Sequence, residues 1–582
     1  MDETAPLSGL SLFHRNWTPP PLPIDSTSLA ALRDGLGISA EFGQILAARN
    51  LADVEEARRF LHPGEEQLHP PELMLGMEAA VERIRHGIEN RDKILIIGDY
   101  DVDGAAATTI LYNFLKRLGA RAHYFIPHRV LDGYGLAPGT IRKFAAWKVD
   151  LVITADHGST AVEGARLLAE RGIDLIITDH HRMGAEAPDC LAMVNPHQPG
   201  CPYPFKELAA TGVAYKVVCA LDRHLTRLGF WERNGLCHTA PSYYLDLVAL
   251  ATVADTSPLI GENRILVKLG LESINRRPRP GLSGLIREAN VREAISPEVI
   301  SFKLAPRINS VGRVGNPLLG VQLLLSRSFT EGRRLARLMN QTNRERQKIE
   351  REVFDLAMHQ VDSNDDQSVC IVVGGKWHPG VIGSIAARVA METRKPTVVL
   401  TLWEPHRLQG SARGWGGHNV LEALEACSSL LERYGGHPSA AGLALDAANL
   451  EAFTREFRRA AGGANGHDEA DPATLKIDAW ISAETLTRGF LGELDRLSPF
   501  GAKNREPVVA VRGMALANAS VFNSRHLKFD LVCQDGSKIT GYAWNCADWE
   551  PLTSARYDVA FIPQSPSNGK PRVKVLDIAP CD

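Results

Sequence analysis

The chain of 582 residues is long enough for roughly three or four domains, and 44% hydrophobic and 23% charged residues are typical of a soluble globular protein. The net charge is -3, from 65 Lys and Arg against 68 Asp and Glu. Proteins that coat nucleic acid non-specifically are far more basic, so this class is excluded, although binding to nucleic acid is not. No apolar run approaches the ~20 residues of a membrane helix. Nor do the first ten residues resemble a signal peptide, so we expect a cytoplasmic protein. The nine cysteines are irregularly spaced, which favours free thiols.

The first α/β pattern begins near residue 93. Before it, residues 1–45 contain the run Pro19-Pro20-Pro21-Leu22-Pro23 and predict an irregular arm, while residues 46–90 have helical spacing. Short apolar runs then alternate with stretches of helical spacing. We assign strands to Lys93–Ile97, Leu151–Thr154 and Leu175–Thr178, and helices to Leu111–Leu118 and Ala161–Glu170. Continuous apolar strands joined through helices predict an α/β fold with a largely parallel sheet.

Three further segments follow. Residues 331–360 predict one long polar helix, whose arginines fit either a solvated connection between domains or a basic wall beside a nucleic-acid groove. A second α/β unit comes next, with strands at Val369–Val373 and Thr397–Thr401 around a helix at Val381–Met391. Beyond a linker at 462–472, short alternating strands predict a small closed β-barrel.

Acidic residues and histidines follow each of the three strands of the first unit. They are Asp99, Asp101 and Asp103 after the first strand, Asp156 and His157 after the second, and Asp179, His180 and His181 after the third. Ligands of parallel sheets bind beyond the carboxyl ends of the strands, so we expect these groups to converge on one crevice. One such motif would fit a helix cap, but three in order are hard to explain in that way.

The donor set predicts a metal centre. So many carboxylates would repel one another and raise their pKa values unless cations offset their charge. Carboxylate oxygens with some imidazole and no thiolate favour Mn²⁺ or Mg²⁺ over structural zinc. Two such cations activate water and neutralise charge on a phosphoryl group, so the sequence predicts phosphodiester hydrolysis. A further apolar run, from Leu245, ends in Asp255, which by itself fits a cap or turn residue.

Two stretches of the second α/β unit offer donors to an anion. In Gly435-Gly436-His437-Pro438, glycines let backbone N–H groups approach an anion and His437 can donate to it. An equally good interpretation is that these glycines serve turns and helix packing. Ser411-Ala412-Arg413-Gly414 offers a hydroxyl and a forked cation to a phosphate, although by itself it is a common loop sequence.

Together these residues form an ordered set that closely resembles the DHH phosphoesterase family. The four stretches that carry the resemblance are Asp99-Tyr100-Asp101-Val102-Asp103-Gly104, Asp156-His157-Gly158, Asp179-His180-His181 and Thr252-Val253-Ala254-Asp255. The run Gly435–Gly442 resembles the glycine–histidine motif of the partner domain, DHHA1. Pro306–Arg313 and Trp377–Gly383 narrow the resemblance to the branch of 5′-to-3′ exonucleases that are specific for single-stranded DNA.

The resemblance implies a role for each matched residue. The metal ligands would be Asp99, Asp101, Asp103, Asp156, His180 and Asp255, with Asp156 shared between two ions. The catalytic residues would be Asp156, His180 and His181. Of these, His181 would face the scissile phosphate, and Asp179 would orient a neighbouring histidine. The candidates for phosphate contact are Arg129, Arg307, Arg313, Ser411, Arg413 and His437. For the first three, surface or interdomain salt bridges are the alternative.

The resemblance also implies the domain order and the biology. We expect an N-terminal arm (1–45), a DHH domain (46–325), a connecting helix (326–362), a DHHA1 domain (363–465) and an OB-fold-like domain (473–582). The implied substrate is single-stranded DNA with a 5′ end, in DNA repair and recombination. The expected partners of a monomeric enzyme are a single-strand-binding protein and a helicase. The alternative is a DHH-family phosphodiesterase acting on short oligonucleotides or cyclic dinucleotides. Arg505 departs from the family pattern, where we expect a smaller or acidic residue.

Overall fold

The computed structural model describes residues 15–18, 24–128, 132–362, 368–462, 474–533, 535–547, 556–564 and 572–581. The chain forms two compact units. One combines Met1–Gln67 with Ala470–Asp582, and the other is Leu68–Glu469. The first unit therefore extends beyond the boundary predicted at residue 46, because the N-terminal helices share a hydrophobic core with the C-terminal segment. The other predicted boundaries stay predictions.

The N-terminal segment of the first unit is mostly helical. Its elements are β1 (Asn16–Thr18), α1 (Ser26–Leu36), α2 (Ala40–Ala48) and α3 (Val54–Leu61). The carboxylate of Asp25 and the hydroxyl of Ser39 accept hydrogen bonds from the first turns of α1 and α2, as helix N-caps do. The predicted irregular arm is therefore wrong from residue 26 onward, since Phe42 is fully buried. The run Pro19–Pro23 lies outside the described residues.

A parallel sheet forms the centre of the second unit. Its elements are α4 (Met77–Glu89), β2 (Lys93–Gly98), α5 (Val102–Arg117), β3 (Arg121–Phe125), α6 (Pro138–Phe144), β4 (Leu151–Ala155), α7 (Val162–Ala169), β5 (Asp174–Thr178) and β6 (Ala192–Val194). The strand order is β3-β2-β4-β5-β6, and every pair is parallel. The three predicted strands are confirmed as β2, β4 and β5, and their Ile, Leu and Val side chains are buried between helices on both faces.

A helical segment follows the sheet. It contains α8 (Ala210–Arg227), α9 (Phe230–Arg233), α10 (Leu245–Ala254), α11 (Gly261–Arg276), α12 (Pro280–Glu288), α13 (Pro297–Val299), α14 (Ala305–Val314), α15 (Leu318–Leu325) and α16 (Phe329–Asp362). A π-helical turn, Ile300–Leu304, joins α13 to α14. The predicted long helix is confirmed as α16, which has 34 residues. Its buried Leu335 and Met339 pack into the same core as the helices on the sheet.

The second α/β unit predicted from the sequence is also present. It contains β7 (Cys370–Gly374), α17 (Pro379–Thr393), β8 (Thr397–Glu404), β9 (Arg407–Arg413), α18 (Val420–Ala426), β10 (Arg433–His437), β11 (Ala440–Asp446) and α19 (Leu450–Gly462). The sheet order is β10-β11-β9-β8-β7, in which only the β7–β8 pair is parallel. Four of its five strands, β8 to β11, therefore belong to antiparallel pairs. The sequence predicted β7 and β8 but not β9, β10 or β11.

The C-terminal segment is a closed β-barrel, as the sequence predicts. Its elements are β12 (Thr474–Lys476), β13 (Ala479–Trp480), α20 (Arg488–Asp495), β14 (Val509–Phe522), β15 (His526–Val532), β16 (Lys538–Ala543), β17 (Arg556–Gln564) and β18 (Arg572–Pro580). Pairing of β14 with β17 closes the five-stranded barrel β14-β15-β16-β18-β17. Arg505, the departure from the family pattern, forms an ion pair of 2.7 Å with the buried Asp478. Most of the predicted linker lies outside the described residues.

Two smaller sequence expectations concern cysteines and membranes. All nine cysteines are free thiols; most are fully or partly buried, and Cys237 is exposed. Within the described ranges, no helix combines the length and apolarity needed to span a membrane.

Candidate metal centre and phosphate-binding pocket

The register of the parallel sheet places three strand ends side by side. Gly98, Ala155 and Thr178 pair with one another across β2, β4 and β5, so the residue after each strand lies at the same edge. Those residues are Asp99, Asp156 and Asp179. The amides of the first two donate to the neighbouring strand at 3.2 and 3.1 Å, which extends the ladder by one residue. The convergence expected from the sequence is therefore observed at this edge.

Seven side chains at this edge form three overlapping groups of potential metal ligands. The groups are Asp99–Asp101–Asp156, Asp103–His180–Asp255 and Asp156–His180–His181, with the donor atoms of each group within 4.8 Å of one another. Asp156 and His180 each belong to two groups. The six metal ligands predicted from the sequence are thus brought together, with His181 beside them. His157 takes a different position, because its Nε2 lies 3.0 Å from the carbonyl oxygen of Ile97.

Asp156 has the most strained backbone of the set and is almost fully buried. Its φ is +72°, in the left-handed region that favours glycine, and it is 3% exposed. Its Oδ1 is buried without a hydrogen-bond partner, while His180 Nε2 lies 3.3 Å away. Burial, and then the charges of Asp101 and Asp103, raise the pKa of Asp156 well above its usual value. A divalent cation would relieve this repulsion and satisfy the orphaned oxygen, so the residues fit a metal ion.

Asp103 and Asp255 reach the centre from helices rather than from strand ends. Asp103 is 1% exposed and accepts hydrogen bonds from the amides of Ala210 and Thr211 at 2.8 and 2.9 Å, at the start of α8. Asp255 is the residue that ends α10, and its Oδ2 accepts from Ser257 Oγ at 2.6 Å. Asp255 is therefore both a helix cap, as its position in the sequence suggests, and a member of a metal-binding group.

Asp179 fixes the orientation of His181. The carboxylate is 1% exposed and accepts from His181 Nδ1 at 2.7 Å and from the amide of Ser159 at 2.9 Å. Burial would raise the pKa of Asp179, but these hydrogen bonds outweigh burial and hold that pKa well below its usual range. Burial likewise would lower the pKa of His181, yet the bond to Asp179 raises it to about 9. The Nε2 of His181 is left for a substrate, which fits the orienting role expected of Asp179.

Asn195 connects the loop that follows β4 to the loop that follows β5, which are the second and third motif loops. The sequence motifs did not indicate this residue. The side chain is fully buried, and its Nδ2 donates to Ser159 Oγ at 2.7 Å and to the carbonyl of His181 at 2.8 Å. Its Oδ1 accepts from the amide of His197 at 2.8 Å. Asn195 directly follows β6, so the strand-end argument would have found it had that short strand been predicted.

The first motif loop is held by close packing and by a residue of α14. Asn309 Oδ1 accepts from the amide of Val102, the first residue of α5, at 3.0 Å. A Cβ on Gly312 would lie 2.5 Å from Tyr100 Cδ2, and a Cβ on Gly104 would lie 2.6 Å from the amide nitrogen of Asp99. Both positions therefore need glycine so that the Asp99–Asp103 loop can fold against its surroundings.

Ser411 and Arg413 lie together on β9 and face a glycine of α17. Arg413 Nη1 donates to Ser411 Oγ at 2.7 Å and to the carbonyl of Ala412 at 2.8 Å. A Cβ on Gly383 would lie 3.0 Å from Arg413 Nη2 and 3.5 Å from Ser411 Oγ. A side chain at position 383 would therefore crowd a hydroxyl and a guanidinium, which are the donors expected for a phosphate.

The backbone of Arg313, near the end of α14, contacts the same face of α17 one helical turn away from Gly383. A Cβ on Gly380 would lie 2.1 Å from the carbonyl oxygen of Arg313, so the end of α14 packs against the start of α17. Gly380 and Gly383 are three residues apart, which puts them on one face of the helix. The backbone of Arg313 and the side chains of Ser411 and Arg413 therefore lie along that face.

The remaining phosphate candidates have different surroundings. Arg307 donates from Nε to Asn340 Oδ1 at 3.0 Å and lines a separate cleft with Arg344. His437 is exposed at the end of β10 and pairs with Ala440, which pairs in turn with Arg413 of β9. Arg129 lies outside the described residues.

Three family models match the chain in this order: the DHH family, N-terminal domain, at residues 93–252, the DHHA1 domain at 366–463 and the RecJ OB domain at 477–575. With the acid- and histidine-bearing edge of the parallel sheet, they define a phosphoesterase of the DHH class.

Relatives identify the branch of that class. The sequence is 36% identical to the single-stranded-DNA-specific exonuclease RecJ of Bacillus subtilis, over 87% of this chain and 63% of that protein. It is 32% identical to RecJ of Dickeya dadantii, over 83% of this chain and 85% of that protein. The fold is similar to RecJ of Thermus thermophilus in complex with Mn²⁺, with a TM-score of 0.80 and 28% identity over 97% of this chain and 80% of that one. The chain belongs to the RecJ family of single-stranded-DNA-specific exonucleases.

Proposed function

We propose that this chain removes nucleotides from the 5′ end of single-stranded DNA by hydrolysing phosphodiester bonds with the help of two divalent cations, in DNA repair and recombination. The observation that carries the proposal is the pair of donor groups Asp99–Asp101–Asp156 and Asp103–His180–Asp255. The two groups are neighbours, because Asp156 of the first and His180 of the second belong together to the third group. The solved Thermus thermophilus RecJ structures contain Mn²⁺ or Mg²⁺, which agrees with the hard oxygen donors here.

In this proposal Asp156 would be shared between the two ions, and Asp99, Asp101, Asp103, His180 and Asp255 would be the other ligands. Bound there, the ions would activate a water molecule and offset the charge of the reacting phosphate. His181, whose Nδ1 donates to Asp179, would donate from Nε2 to a nonbridging oxygen of the scissile phosphate. Because the Asp179 carboxylate keeps His181 protonated and oriented, the histidine would also stabilise negative charge that develops on that phosphate.

The 5′ polarity would come from the pocket formed by Ser411, Arg413 and Arg313. A terminal phosphate carries more charge than a diester and has an additional free oxygen, so a pocket with two guanidiniums and a hydroxyl favours a strand end over an internal position. At position 383 glycine keeps a side chain from crowding the Ser411 and Arg413 donors. We include His437 and Arg129 as further candidates for phosphate contact.

The enzyme would act as a cytoplasmic monomer beside other DNA-processing proteins. One chain supplies all three metal-binding groups, so no second subunit is needed to complete the centre. An enzyme restricted to single strands depends on another protein to open the duplex, and we therefore propose a helicase and a single-strand-binding protein as partners.

The pocket is tested by a comparison of two end chemistries. Arg413→Ala should slow digestion of 5′-phosphorylated strands more than digestion of 5′-hydroxyl strands, because only the former offers the extra charge. Arg407→Ala is the matched control, since Arg407 lies on the same strand but forms its ion pair with Glu432 at 2.6 Å. If Arg413→Ala slows digestion of both substrates by the same factor, Arg413 does not recognise the 5′-phosphate. Preference for dinucleotides over long strands would favour the short-oligonucleotide phosphodiesterase instead.

A further inference from the structure

A basic cleft of about 800 Å³ lies between α12, the π-helical turn and α16 of the second unit. Of the residues that line it, six are cationic and one, Glu288, is acidic. The cations are Arg287, Lys303, Arg307, Arg333, Arg344 and Arg346. The cleft is thus strongly positive although the whole chain carries a net charge of -3.

Half of these cations lack an acidic partner. Arg333 pairs with Glu288 at 2.9 Å, Arg346 pairs with Glu350 at 2.8 Å, and Lys303 pairs with Glu293. In the part of the chain that the structure describes, no carboxylate lies within 4 Å of Arg287, Arg307 or Arg344.

Arg307 and Arg344 are close enough to repel each other. Burial, and then the charge of Arg344, lower the pKa of Arg307. A side chain that is half-buried beside a like charge is costly to maintain, and a polyanion in the cleft would remove that cost.

An exposed aromatic ring lies among these cations. Phe302 lines the cleft and is 76% exposed, although an aromatic side chain of this size is normally buried. It lies in the π-helical turn Ile300–Leu304, a rare local structure that is frequent at functional sites. Cations interleaved with an exposed ring are the combination by which proteins hold single-stranded nucleic acid, because every base has a face that stacks. An acidic peptide would use the cations but not the ring.

The cleft is connected to the metal centre through one short helix. Arg307, Asn309 and Gly312 all lie on α14, where Arg307 lines the cleft and the other two contact the Asp99–Asp103 loop. The cleft and the loop that carries the first metal-binding acids therefore adjoin the same short helix, which is about 10 Å wide. A strand bound at the metal centre would reach the cleft within a few nucleotides.

We propose that this cleft is a second binding site for the DNA strand, in which Arg287, Arg307 and Arg344 contact backbone phosphates and Phe302 stacks on a base. The site would hold the strand beyond the nucleotide being removed. The inference rests on the proposed function, because it takes single-stranded DNA as the substrate of the metal centre.

The variants that test this site remove exposed groups, so that the fold is preserved. Arg344→Gln removes one cation, and Phe302→Ala removes the ring. Arg334→Gln is the matched control, because Arg334 is exposed on the same helix but does not line the cleft. Phe302→Leu keeps an apolar side chain without an aromatic face.

The measurement is the affinity for a long 5′-phosphorylated oligothymidylate in EDTA, over a range of salt concentrations. Arg344→Gln should reduce the slope of log affinity against log salt by about 0.7, the value for one lost phosphate contact on a single strand. Phe302→Ala and Phe302→Leu should both weaken binding between about fivefold and a hundredfold. Arg334→Gln should match the wild type.

The outcomes separate this inference from the proposed function. The proposed DNA site is refuted if Arg344→Gln has the same affinity and the same salt slope as Arg334→Gln and the wild type. It is also refuted if Phe302→Leu binds DNA with full affinity. If Arg344→Gln loses binding to a Glu-rich peptide but keeps its affinity for DNA, the cleft binds a protein partner, and the proposed DNA site is refuted. If the wild type does not digest single-stranded DNA in Mn²⁺, the proposed function fails instead, whatever the cleft binds.

Discussion

Replacing Asn195 by alanine should loosen the metal centre without removing a metal ligand. The buried Nδ2 of Asn195 joins Ser159, in the second motif loop, to the backbone of His181, in the third. Its Oδ1 holds the amide of His197. Alanine removes these three hydrogen bonds, together with a weak contact to Met183 Sδ at 3.9 Å, and leaves buried polar groups without partners.

The size of the effect follows from these contacts. Three hydrogen bonds at about 1 kcal/mol each predict a loss of roughly 3 kcal/mol in the free energy of unfolding. Groups that orient metal ligands typically contribute about tenfold to a hundredfold to metal affinity. Both effects are expected from Asn195→Ala, since the residue orients a loop that carries His180 and His181.

A matched control separates folding from metal binding. Asn504 is 3% exposed and also makes three hydrogen bonds, to Leu497, Pro499 and Arg49, but it lies in the other compact unit. Thermal unfolding and Mn²⁺ titration by calorimetry would be measured for both alanine variants. Asn504→Ala should lower stability and leave Mn²⁺ affinity unchanged. If Asn195→Ala also binds Mn²⁺ like the wild type, the proposed orienting role is refuted.

Three other substitutions test separate parts of the structure. Gly104→Ala should lower kcat about a hundredfold by displacing Asp99. Gly492→Ala, whose Cβ would meet nothing within 4 Å, should leave kcat unchanged, and equal kcat values for the two variants would contradict the packing argument. Trp544→Ala should weaken binding of long single strands by about fivefold or more, because the ring is 47% exposed and lies 4.5 Å from His526 on the barrel; unchanged affinity in anisotropy would exclude it. Phe42→Ala should lower the free energy of unfolding in urea by about 3–5 kcal/mol, and a loss under about 1 kcal/mol would argue against a shared core.

The catalytic sheet could be predicted because its strands are continuous apolar runs. β2, β4 and β5 are buried on both faces, and each ends in acids, so both the elements and the strand-end donors were visible in the sequence. β3 alternates polar and apolar residues at the sheet edge, and β6 has three residues, so neither gave a comparable signal. Missing β6 also concealed Asn195.

Contacts between distant segments could not be predicted from spacing. Asn309 reaches the amide of Val102 across 207 positions, and no local pattern encodes that hydrogen bond. Helices α1 and α2 were missed for a related reason, since their apolar residues share a core with the C-terminal barrel, which is distant in sequence. The helical spacing predicted for residues 46–90 is confirmed in α3 and α4. A C-terminal truncation would therefore expose the face of α2, and substitutions such as Trp544→Ala are the cleaner test of the barrel.

Digestion of one end-labelled oligonucleotide tests whether the chain is a metal-dependent 5′-to-3′ exonuclease with Asp156 at its centre. Wild type and Asp156→Asn would each be incubated with single-stranded and duplex forms, in Mn²⁺ and in EDTA. We expect the wild type to release a 5′ label first, only from the single strand and only with Mn²⁺. Asp156→Asn should bind the strand and release nothing. Release from the 3′ end would refute the 5′ polarity, activity in EDTA would refute the metal dependence, and near-normal turnover by Asp156→Asn would refute the role of Asp156.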